Sequence, residues 1–443
     1  MHRYDPQARI SIALKITIVN QFYPPDISPT ARLAASLAEH RAALDDRVTV
    51  IGGQGYLGSG QSHARICPKQ NVDEQKVSWR SETESDSNIH VHRLWTPKSG
   101  KRTLVHRCLD YFAFYFLACL TIARLPKQDV VVCMTTPPLI AGAGILHKLI
   151  HRTTRVILWN MDCYPEVAER SGIIRSGGLI DRLWKWMNLV IGSQLDHVVC
   201  LDDAMQQIIN ARPRADQIPK SVIPNWEPLA EFPLREVKHI EKQVQPPFTI
   251  LYSGNMGHGH CFTAMLSAAR LLLEKESSIR FVMTGGGIQS SKIQQRIKDE
   301  RLTNITFMGY VSTRELRDIQ SQSHCALITL KDSMLGCMSP SKLHASLAMG
   351  LPIVYLGPAG SSVDETISHF GCGVSLRNGD VNGFVSAMET LAKSPHLQQR
   401  YSDAARRSFE SNYCDKKNLK SFDAVINATA VISDRLEISR DAA

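Results

Sequence analysis

Short apolar segments that favour buried β-strands alternate with helical segments along most of this chain, and this alternation restricts the fold more than any other feature. In the first half the predicted strands are Ile16–Val19, Val48–Gly53, Val130–Cys133, Val156–Trp159 and His197–Leu201. Helices are predicted from about Thr30 to Leu44 and from Leu179 to about Ile191. Strands that alternate with helices form parallel sheets, since each parallel strand needs a crossover connection. An α/β fold is therefore expected.

A second series of the same kind follows the segment 227–247, which contains four prolines. Its predicted strands are Thr249–Tyr252, Ile279–Met283, Ile305–Met308, Ala326–Leu330 and Pro352–Leu356. A chain of 443 residues is also too long for one ordinary core. We therefore expect a domain of residues 1–226, a linker at 227–247, a domain of residues 248–425, and a tail at 426–443 that packs back on the first domain. Two facing doubly wound domains would form a ligand cleft, because ligands bind at the carboxyl ends of parallel strands.

Two segments of the first half break the pattern. Residues 54–90 are rich in Gly, Ser, Gln and Glu without periodicity, and they are interpreted as a long surface loop. The segment Tyr111–Ala123 is uncharged, rich in aromatic residues and flanked by Arg107 and Arg124. It is too short to span a bilayer, which needs about 18 to 20 residues. It is either a buried core helix or a helix that enters the membrane interface.

Charge and cysteine content restrict the partners and the compartment. The net charge is +9, and the excess of Lys and Arg lies mainly in the first half, which suits an anionic membrane or nucleic acid. The eleven cysteines are scattered singly, which argues against a disulfide framework or a zinc site and favours the cytoplasm. The N-terminus lacks the long apolar segment of a signal peptide. No His, Asp and Glu set occurs at metal-ligand spacing, so no metal is expected.

Three loops at predicted strand ends have the composition of a phosphate site: Ser253–His260, Thr284–Gly287 and Ser339–Lys342. Glycines let backbone amides approach an anion closely, and a helix that begins near Lys342 adds partial positive charge. Neither a GxGxxG dinucleotide fingerprint nor a Walker A lysine loop is present. The sequence therefore predicts a nucleotide held by backbone amides and helix ends rather than by either standard motif.

The order of motifs resembles that of the retaining glycosyltransferases of family 4, which have the GT-B fold of two facing Rossmann-like domains. It is similar in particular to the bacterial exopolysaccharide enzymes of the colanic acid group. The matching segments are Asn20–Pro25, Trp159–Glu166, Ile223–Asn225, Tyr252–Asn255, Gly309–Tyr310, Ser339–Leu343 and Ala348–Pro352. The resemblance implies a hexosyltransferase-type enzyme that uses a nucleoside diphosphate sugar as donor and requires no cofactor or metal.

The resemblance also implies the site residues. The catalytic candidates are Asp162, Glu166 and Lys342, of which the two acids also suit helix caps. The donor-binding candidates are Ser253, Gly254, Asn255, His258, Gly285, Gly286, Tyr310, Ser339, Ser341, Lys342 and Glu365. The acceptor-binding candidates are Ser28, Thr30 and Arg32. Where the family has two glutamates eight positions apart, this sequence has Cys337 and Ala345, and Glu365 is the candidate replacement.

Together these features predict transfer of a sugar, with retention, to a lipid-linked saccharide acceptor in exopolysaccharide or surface glycan biosynthesis. The protein is expected at the cytoplasmic face of the cell membrane, in peripheral association with anionic lipid. Two alternatives stay open: a nucleotide-sugar epimerase or hydrolase of the same fold, and a catalytically weak partner subunit of a polysaccharide assembly complex. Nucleic-acid binding is disfavoured, because the Lys and Arg residues between Lys101 and Arg155 lie among apolar residues.

Overall fold

The computed structural model describes residues 13–26, 28–55, 82–86, 88–97, 104–232 and 247–441. Within these residues the chain forms two α/β units, each built on its own sheet. The predicted α/β fold is thus confirmed.

The first sheet has eight strands: β1 (Lys15–Val19), β2 (Arg47–Gly53), β3 (Glu82–Asp86), β4 (Ile89–Leu94), β5 (Val130–Met134), β6 (Arg155–Trp159), β7 (His197–Cys200) and β8 (Lys220–Val222). Their order is β3-β4-β2-β1-β5-β6-β7-β8, and only the β3–β4 pair is antiparallel among them. β1 is central, with Ile16 opposite Val48 of β2 and Val130 of β5. The carboxyl ends of the parallel strands therefore meet at one edge.

The helices of this unit cover both faces of its sheet: α1 (Pro29–Ala43), α2 (Leu104–Arg124), α3 (Ala141–Ile150), α4 (Glu166–Arg170), α5 (Leu179–Gly192) and α6 (Asp203–Asn210). Alternate strand residues enter two different cores, as the two-residue period of a strand requires. Ile16 and Ile18 pack in the core that includes α1, whereas Val19 packs in the core that includes α2 and α3.

The apolar segment Tyr111–Ala123 belongs to a longer helix than expected. α2 has 21 residues and is, within the described residues, a helix long and apolar enough to cross a membrane by length and composition. Its Phe114, Ala118 and Ile122 are fully buried against the sheet, whereas other apolar side chains of the same helix are exposed. The helix therefore has one core face and one apolar outer face.

The second sheet has six parallel strands: β9 (Thr249–Ser253), β10 (Arg280–Thr284), β11 (Ile305–Gly309), β12 (Cys325–Thr329), β13 (Ile353–Leu356) and β14 (Gly373–Leu376). Their order is β11-β10-β9-β12-β13-β14. The helices that follow β9 are α7 (Thr263–Glu274), α8 (Ser290–Asp299), α9 (Thr313–Gln322), α10 (Lys342–Ala348), α11 (Ser362–Phe370), α12 (Val381–Lys393), α13 (Pro395–Ser408) and α14 (Asp415–Asp441). The order reverses between β9 and β12, which is where ligands bind in doubly wound sheets.

Helix α14 returns the chain to the first unit. Phe422 packs on Trp159 at a ring-centroid distance of 4.4 Å and on Trp226 at 5.9 Å. Arg41 of α1 donates to Asp423 at 2.8 Å. The predicted start of the tail at residue 426 falls inside this helix, which begins at Asp415.

The strands predicted from sequence are all confirmed, but the loop predicted at residues 54–90 is wrong where it is described. β3 and the start of β4 lie within it and extend the sheet edge; residues 56–81 and 87 lie outside the described part. The predicted linker contains a short 3-10 helix at Leu229–Glu231, and its residues 233–246 lie outside the described part.

Candidate functional site

Three loops at the carboxyl ends of β9, β10 and β11 are joined by backbone hydrogen bonds. Gly254 N–H donates to Thr284 O at 3.0 Å, and Met256 N–H donates to Gly286 O at 2.7 Å. Gly285 N–H donates to Gly309 O at 2.5 Å, and a Cβ on Gly285 would overlap Gly254 O. Gly285 also has a φ of +106°, a conformation that favours glycine. The predicted glycine loops are thus brought together, and their backbones lie in close contact.

Lys342, the first residue of α10, extends over the backbone of the loops at Gly254 and Gly285, here named the glycine floor. A Cβ on Gly254 would lie 3.1 Å from Lys342 Cε. The Nζ atom lies 3.0 Å from His260 Nε2, 3.5 Å from Asn255 O and 4.9 Å from the Tyr252 ring centroid. The side chain is therefore held by contacts from the loop that follows β9.

His260 is the residue that fixes the lysine. Its Nδ1 lies 2.6 Å from Thr329 O, a carbonyl that can only accept, so Nδ1 carries the proton and Nε2 accepts from Lys342. Burial, and then the charge of Lys342, lowers the pKa of His260 to about 3, so the ring is neutral. Sequence reasoning chose His258 instead, which is exposed. Both histidines follow the same strand, and only packing distinguishes them.

Lys342 carries a partly desolvated ammonium group that has no anionic partner among the described residues. Burial lowers the pKa of Lys342 to about 7. No carboxylate of the described part of the chain forms an ion pair with it. Lys331 is a second cation nearby, since its charge also lowers the pKa of His260, and sequence reasoning did not single it out. A desolvated cation beside exposed backbone favours an anionic ligand.

Tyr310 extends from the end of β11 over the same floor. A Cβ on Gly286 would lie 2.5 Å from Tyr310 Cε2, so the ring lies directly against the glycine backbone. The side chain is 78% exposed. An accessible aromatic ring in this position offers a stacking surface to a planar group. Ser253 lies at the end of β9 below the same loop.

Ser339 lies in the segment that leads into α10, and Glu365 lies in α11. Ser339 Oγ lies 3.0 Å from Ser362 Oγ, and both line a cavity of about 440 Å³ between the two units together with Glu365. Asp202 and Asp203 line the same cavity. Burial, and then the charge of Asp203, raises the pKa of Glu365. The structure thus places Glu365 in an acidic cluster and not beside Lys342.

The predicted acceptor residues Ser28, Thr30 and Arg32 have local partners. Ser28 is the N-cap of α1, and its Oγ accepts from Ala31 N–H at 3.1 Å and lies 3.1 Å from Thr30 Oγ1. Arg32 donates to Glu227 at 2.9 Å. Arg32 and Ser341 both line a small cavity of about 30 Å³, so α1 and the start of α10 face each other.

Residues 333–338, here named the interdomain latch, join the second unit to the first. Cys163 N–H donates to Cys337 O at 2.8 Å, and Asp162 pairs with Met338 in an antiparallel bridge. Gly336 approaches α6 so closely that a Cβ on it would overlap Ala204 O. Arg170 also donates to two carbonyl oxygens of the latch. The latch brings Asp162 to the boundary between the units.

Cys337, at the position where the resembled family has a glutamate, is fully buried in this latch. A thiol in such a contact cannot replace a sugar-binding carboxylate. Ala345 of α10 offers no polar group either. Neither Cys337 nor Ala345 can therefore replace the glutamate that the resembled family has at its position.

The two candidate acids differ in their surroundings. Asp162 accepts no hydrogen bond at its carboxylate from the described residues, and burial raises its pKa to about 6. Both carboxylate oxygens of Glu166 are bound by Arg212, at 3.1 and 2.7 Å, and Arg212 also donates to Tyr164 O. Glu166 is thus occupied in an ion pair at the start of α4, which argues against the catalytic role predicted for it. Within the described residues, no group of three or more His, Cys, Asp or Glu side chains could hold a metal ion.

Part of the chain matches a known family model, and two curated proteins are similar to it. Residues 247–394 match the family described as glycosyl transferases group 1. The probable glycosyltransferase WbjE of Pseudomonas aeruginosa is 23% identical over 343 residues, which cover 74% of this chain and 82% of that protein. The putative colanic acid biosynthesis glycosyl transferase WcaI of Escherichia coli strain K12 is 24% identical over 422 residues, which cover 92% of this chain and 98% of that protein.

Two solved structures share the fold. Sucrose-phosphate synthase from Thermosynechococcus elongatus superposes with a TM-score of 0.69 at 12% identity, covering 93% of this chain and 98% of that one. Anabaena Alr3699/HepE, solved in complex with UDP and glucose, superposes with a TM-score of 0.65 at 12% identity, covering 94% of this chain and 99% of that one. These neighbours have the GT-B fold expected from the sequence. Residues 247–394 therefore match a glycosyl transferases group 1 domain, and the described residues form a GT-B fold of two α/β units.

Proposed function

We propose that this protein is a retaining, family 4 glycosyltransferase of the hexosyl type, which transfers a sugar from a nucleoside diphosphate sugar to a lipid-linked saccharide. The observation that carries the proposal is Lys342, an ammonium without an anionic partner among the described residues, held by neutral His260 over a floor of glycine backbone. A diphosphate would supply the missing anion. The UDP complex of the structural neighbour HepE supports the same choice of ligand class.

In this proposal the donor diphosphate binds against Lys342 and the loop backbones that begin at Gly254 and Gly285. Negative charge develops on the diphosphate as the glycosidic bond breaks, and a cation already fixed in place stabilises that charge without reorganisation. The exposed ring of Tyr310 would stack on the nucleobase. Ser341 and Asn255 complete the proposed donor site.

Asp162 is the proposed group that orients the acceptor hydroxyl. It lies at the boundary between the units, next to the latch. Its raised pKa of about 6 still leaves it mostly ionised at neutral pH, so it can accept a hydrogen bond from a hydroxyl. Glu166 is omitted, because Arg212 binds both of its oxygens.

The acceptor is proposed to be a saccharide linked to lipid, met at the cytoplasmic face of the membrane in exopolysaccharide or surface glycan biosynthesis. The named role of WcaI in colanic acid biosynthesis supports this class of acceptor. The apolar outer face of α2, between Arg107 and Arg124, supports peripheral association with a membrane.

Isothermal titration with UDP, GDP and their sugars tests the donor site. We expect one nucleoside diphosphate to bind, and its sugar to be transferred to a lipid in membrane extract, read as the mass shift of the product. Release of free sugar or conversion of the donor sugar without a lipid product would instead identify a hydrolase or an epimerase. If none of the nucleotides binds, the protein would instead be a partner subunit without activity. The presence of Cys337 and Ala345 in place of the two glutamates supports this alternative.

A further inference from the structure

Helix α2 exposes a continuous apolar stripe. Its members are Val105, Leu109, Phe112, Phe116 and Leu120, all of them exposed. Steps of three and four residues place side chains on one face of a helix. Phe112, at the middle of the stripe, is 71% exposed. The stripe is opposite to the buried Phe114, Ala118 and Ile122.

Helix α5 exposes a second stripe of the same kind, which sequence reasoning did not anticipate. Its members are Leu179, Leu183, Trp186 and Val190, again in steps of three and four residues, with Ile180 beside them. Leu179 is 85% exposed and Trp186 is 60% exposed. Large apolar side chains of this number rarely stay in water on a monomer.

The two stripes belong to the same side of the first unit. α2 and α3 enter one core below the sheet, and Ile191 of α5 packs against that core. A Cβ on Gly142 of α3 would overlap the Tyr115 hydroxyl and lie 3.5 Å from Ile191 Cδ1, so α2 and α5 converge on α3. Tyr164 stacks on Trp184 of α5 at 5.7 Å between ring centroids. Both helices therefore flank α3 on the same side of the sheet, and their two exposed stripes are together named the α2–α5 face.

The charges on this face have one sign. In α2 and in residues 171–193, the exposed charged side chains are Arg107, Arg124, Arg175, Arg182 and Lys185. The acids of the same segments, Asp110 and Asp181, are buried. Asp181 accepts from Gly177 N–H at 2.8 Å, and both Asp181 and Glu169 pair with Lys185, so the arginines carry the unpaired positive charge of this face. Exposed arginines that surround apolar and indole side chains complement an anionic bilayer surface.

We infer that the α2–α5 face seats the protein on an anionic lipid bilayer, with both helices in the plane of the interface and Trp186 at the level of the headgroups. The choice of a bilayer rests on the proposed function, because a lipid-linked acceptor is reached at a membrane surface. α2 does not cross the membrane in this arrangement, since Phe114, Ala118 and Ile122 remain in the core. Two helices fix the orientation of the first unit, which one helix alone would leave free to rotate.

The test is co-sedimentation of the full chain with vesicles of phosphatidylcholine alone and of phosphatidylcholine with 30% phosphatidylglycerol. We expect preferential binding to the anionic vesicles, weakened by added salt as charges are screened. The double variant Phe116→Glu/Leu183→Glu should lower the partition coefficient more than about tenfold. Each change removes apolar surface that the bilayer would bury. Arg175→Glu/Arg182→Glu should weaken the preference for the anionic vesicles, because only Arg107 and Arg124 then remain as exposed arginines of this face.

The matched control is Leu44→Glu, because Leu44 follows α1 outside this face and is 45% exposed. It should bind vesicles as the wild type does. Unchanged binding in Phe116→Glu/Leu183→Glu, with unchanged circular dichroism, would overturn the inference. A dimer of the wild type that this variant separates, without vesicle binding, would overturn it in favour of a second copy as the occupant. Titration with UDP and GDP in the same samples reports the donor site separately, so failure of either proposal is recognisable.

Discussion

Replacement of Lys342 by methionine removes the ammonium while keeping a side chain long enough to cover Gly254. The ammonium lies 3.0 Å from His260 Nε2 and has no anionic partner in the described part of the chain, so its charge is available to the leaving diphosphate. Loss of one preorganised donor of this kind costs about 10²–10³ in rate. We therefore expect kcat/KM to fall about a hundredfold, which is about 2.7 kcal/mol of transition-state stabilisation.

The pKa of Lys342 adds a pH signature to the same variant. In the empty site burial lowers it to about 7, and a bound diphosphate would raise it again. Above pH 7, binding then takes up a proton, so affinity for the nucleoside diphosphate should weaken by up to about tenfold per pH unit. Below pH 7 the ammonium is already formed, and this dependence disappears. Lys342→Met should lack it at every pH.

Isothermal titration between pH 6 and 9, with initial rates at saturating acceptor, measures both quantities. Lys292→Met is the matched control, since Lys292 is exposed on α8 and should leave rate and affinity unchanged. A Lys342→Met enzyme with nearly normal rates and the wild-type pH dependence would refute the role of this residue.

Three further substitutions separate catalytic from structural roles. Asp162→Asn should lower kcat by about 10²–10⁴ and remove the loss of activity below about pH 6. It should not lower the melting temperature, because at neutral pH the desolvated carboxylate disfavours the folded state. A normal pH–rate profile would contradict this role. Glu166→Gln should cost about 1–3 kcal/mol of stability through its pair with Arg212 and leave kcat within about twofold, and a collapse of kcat would restore its catalytic role. Gly336→Ala should separate the two units, because its Cβ would overlap Ala204 O. The control is Gly360→Ala: Gly360 has a φ of +71°, close to the +72° of Gly336, but a Cβ on it would meet open space. Small-angle scattering and thermal melts compare these two alanine variants, and equal profiles would argue against the latch.

Local sequence features predict much of the donor site. They do not predict which of two histidines, His258 or His260, contacts Lys342. Glycines at strand ends predicted the convergence of the loops at Gly254 and Gly285, because the ends of parallel strands meet at one edge. The partner of Lys342 depends on which histidine turns inward towards Thr329 O, a residue 69 positions away. No local pattern records such a contact.

The long segment after β2 shows a different limit. Residues 82–86 carry charged and polar side chains, which favour a loop on composition, yet β3 and β4 form an antiparallel pair at the sheet edge. An edge strand needs little apolar sequence, because one of its sides is not covered by another strand. Pairing with β4, which already belongs to the sheet, stabilises β3 as a strand although its own sequence favours a loop.

The sequence by itself determined the two α/β units, the position of the glycine loops and the single lysine at the start of α10, because strand burial, helix periodicity and glycine conformation are local properties. Tertiary structure alone decided which polar groups stay available: Arg212 binds Glu166, the latch buries Cys337, and Asp162 keeps a carboxylate without a bound donor among the described residues. These outcomes depend on contacts between distant segments, whose energies are set by burial and by the partners that folding brings within reach. The same is true of α5, whose apolar stripe is a surface only because α2 and α3 occupy the core beside it.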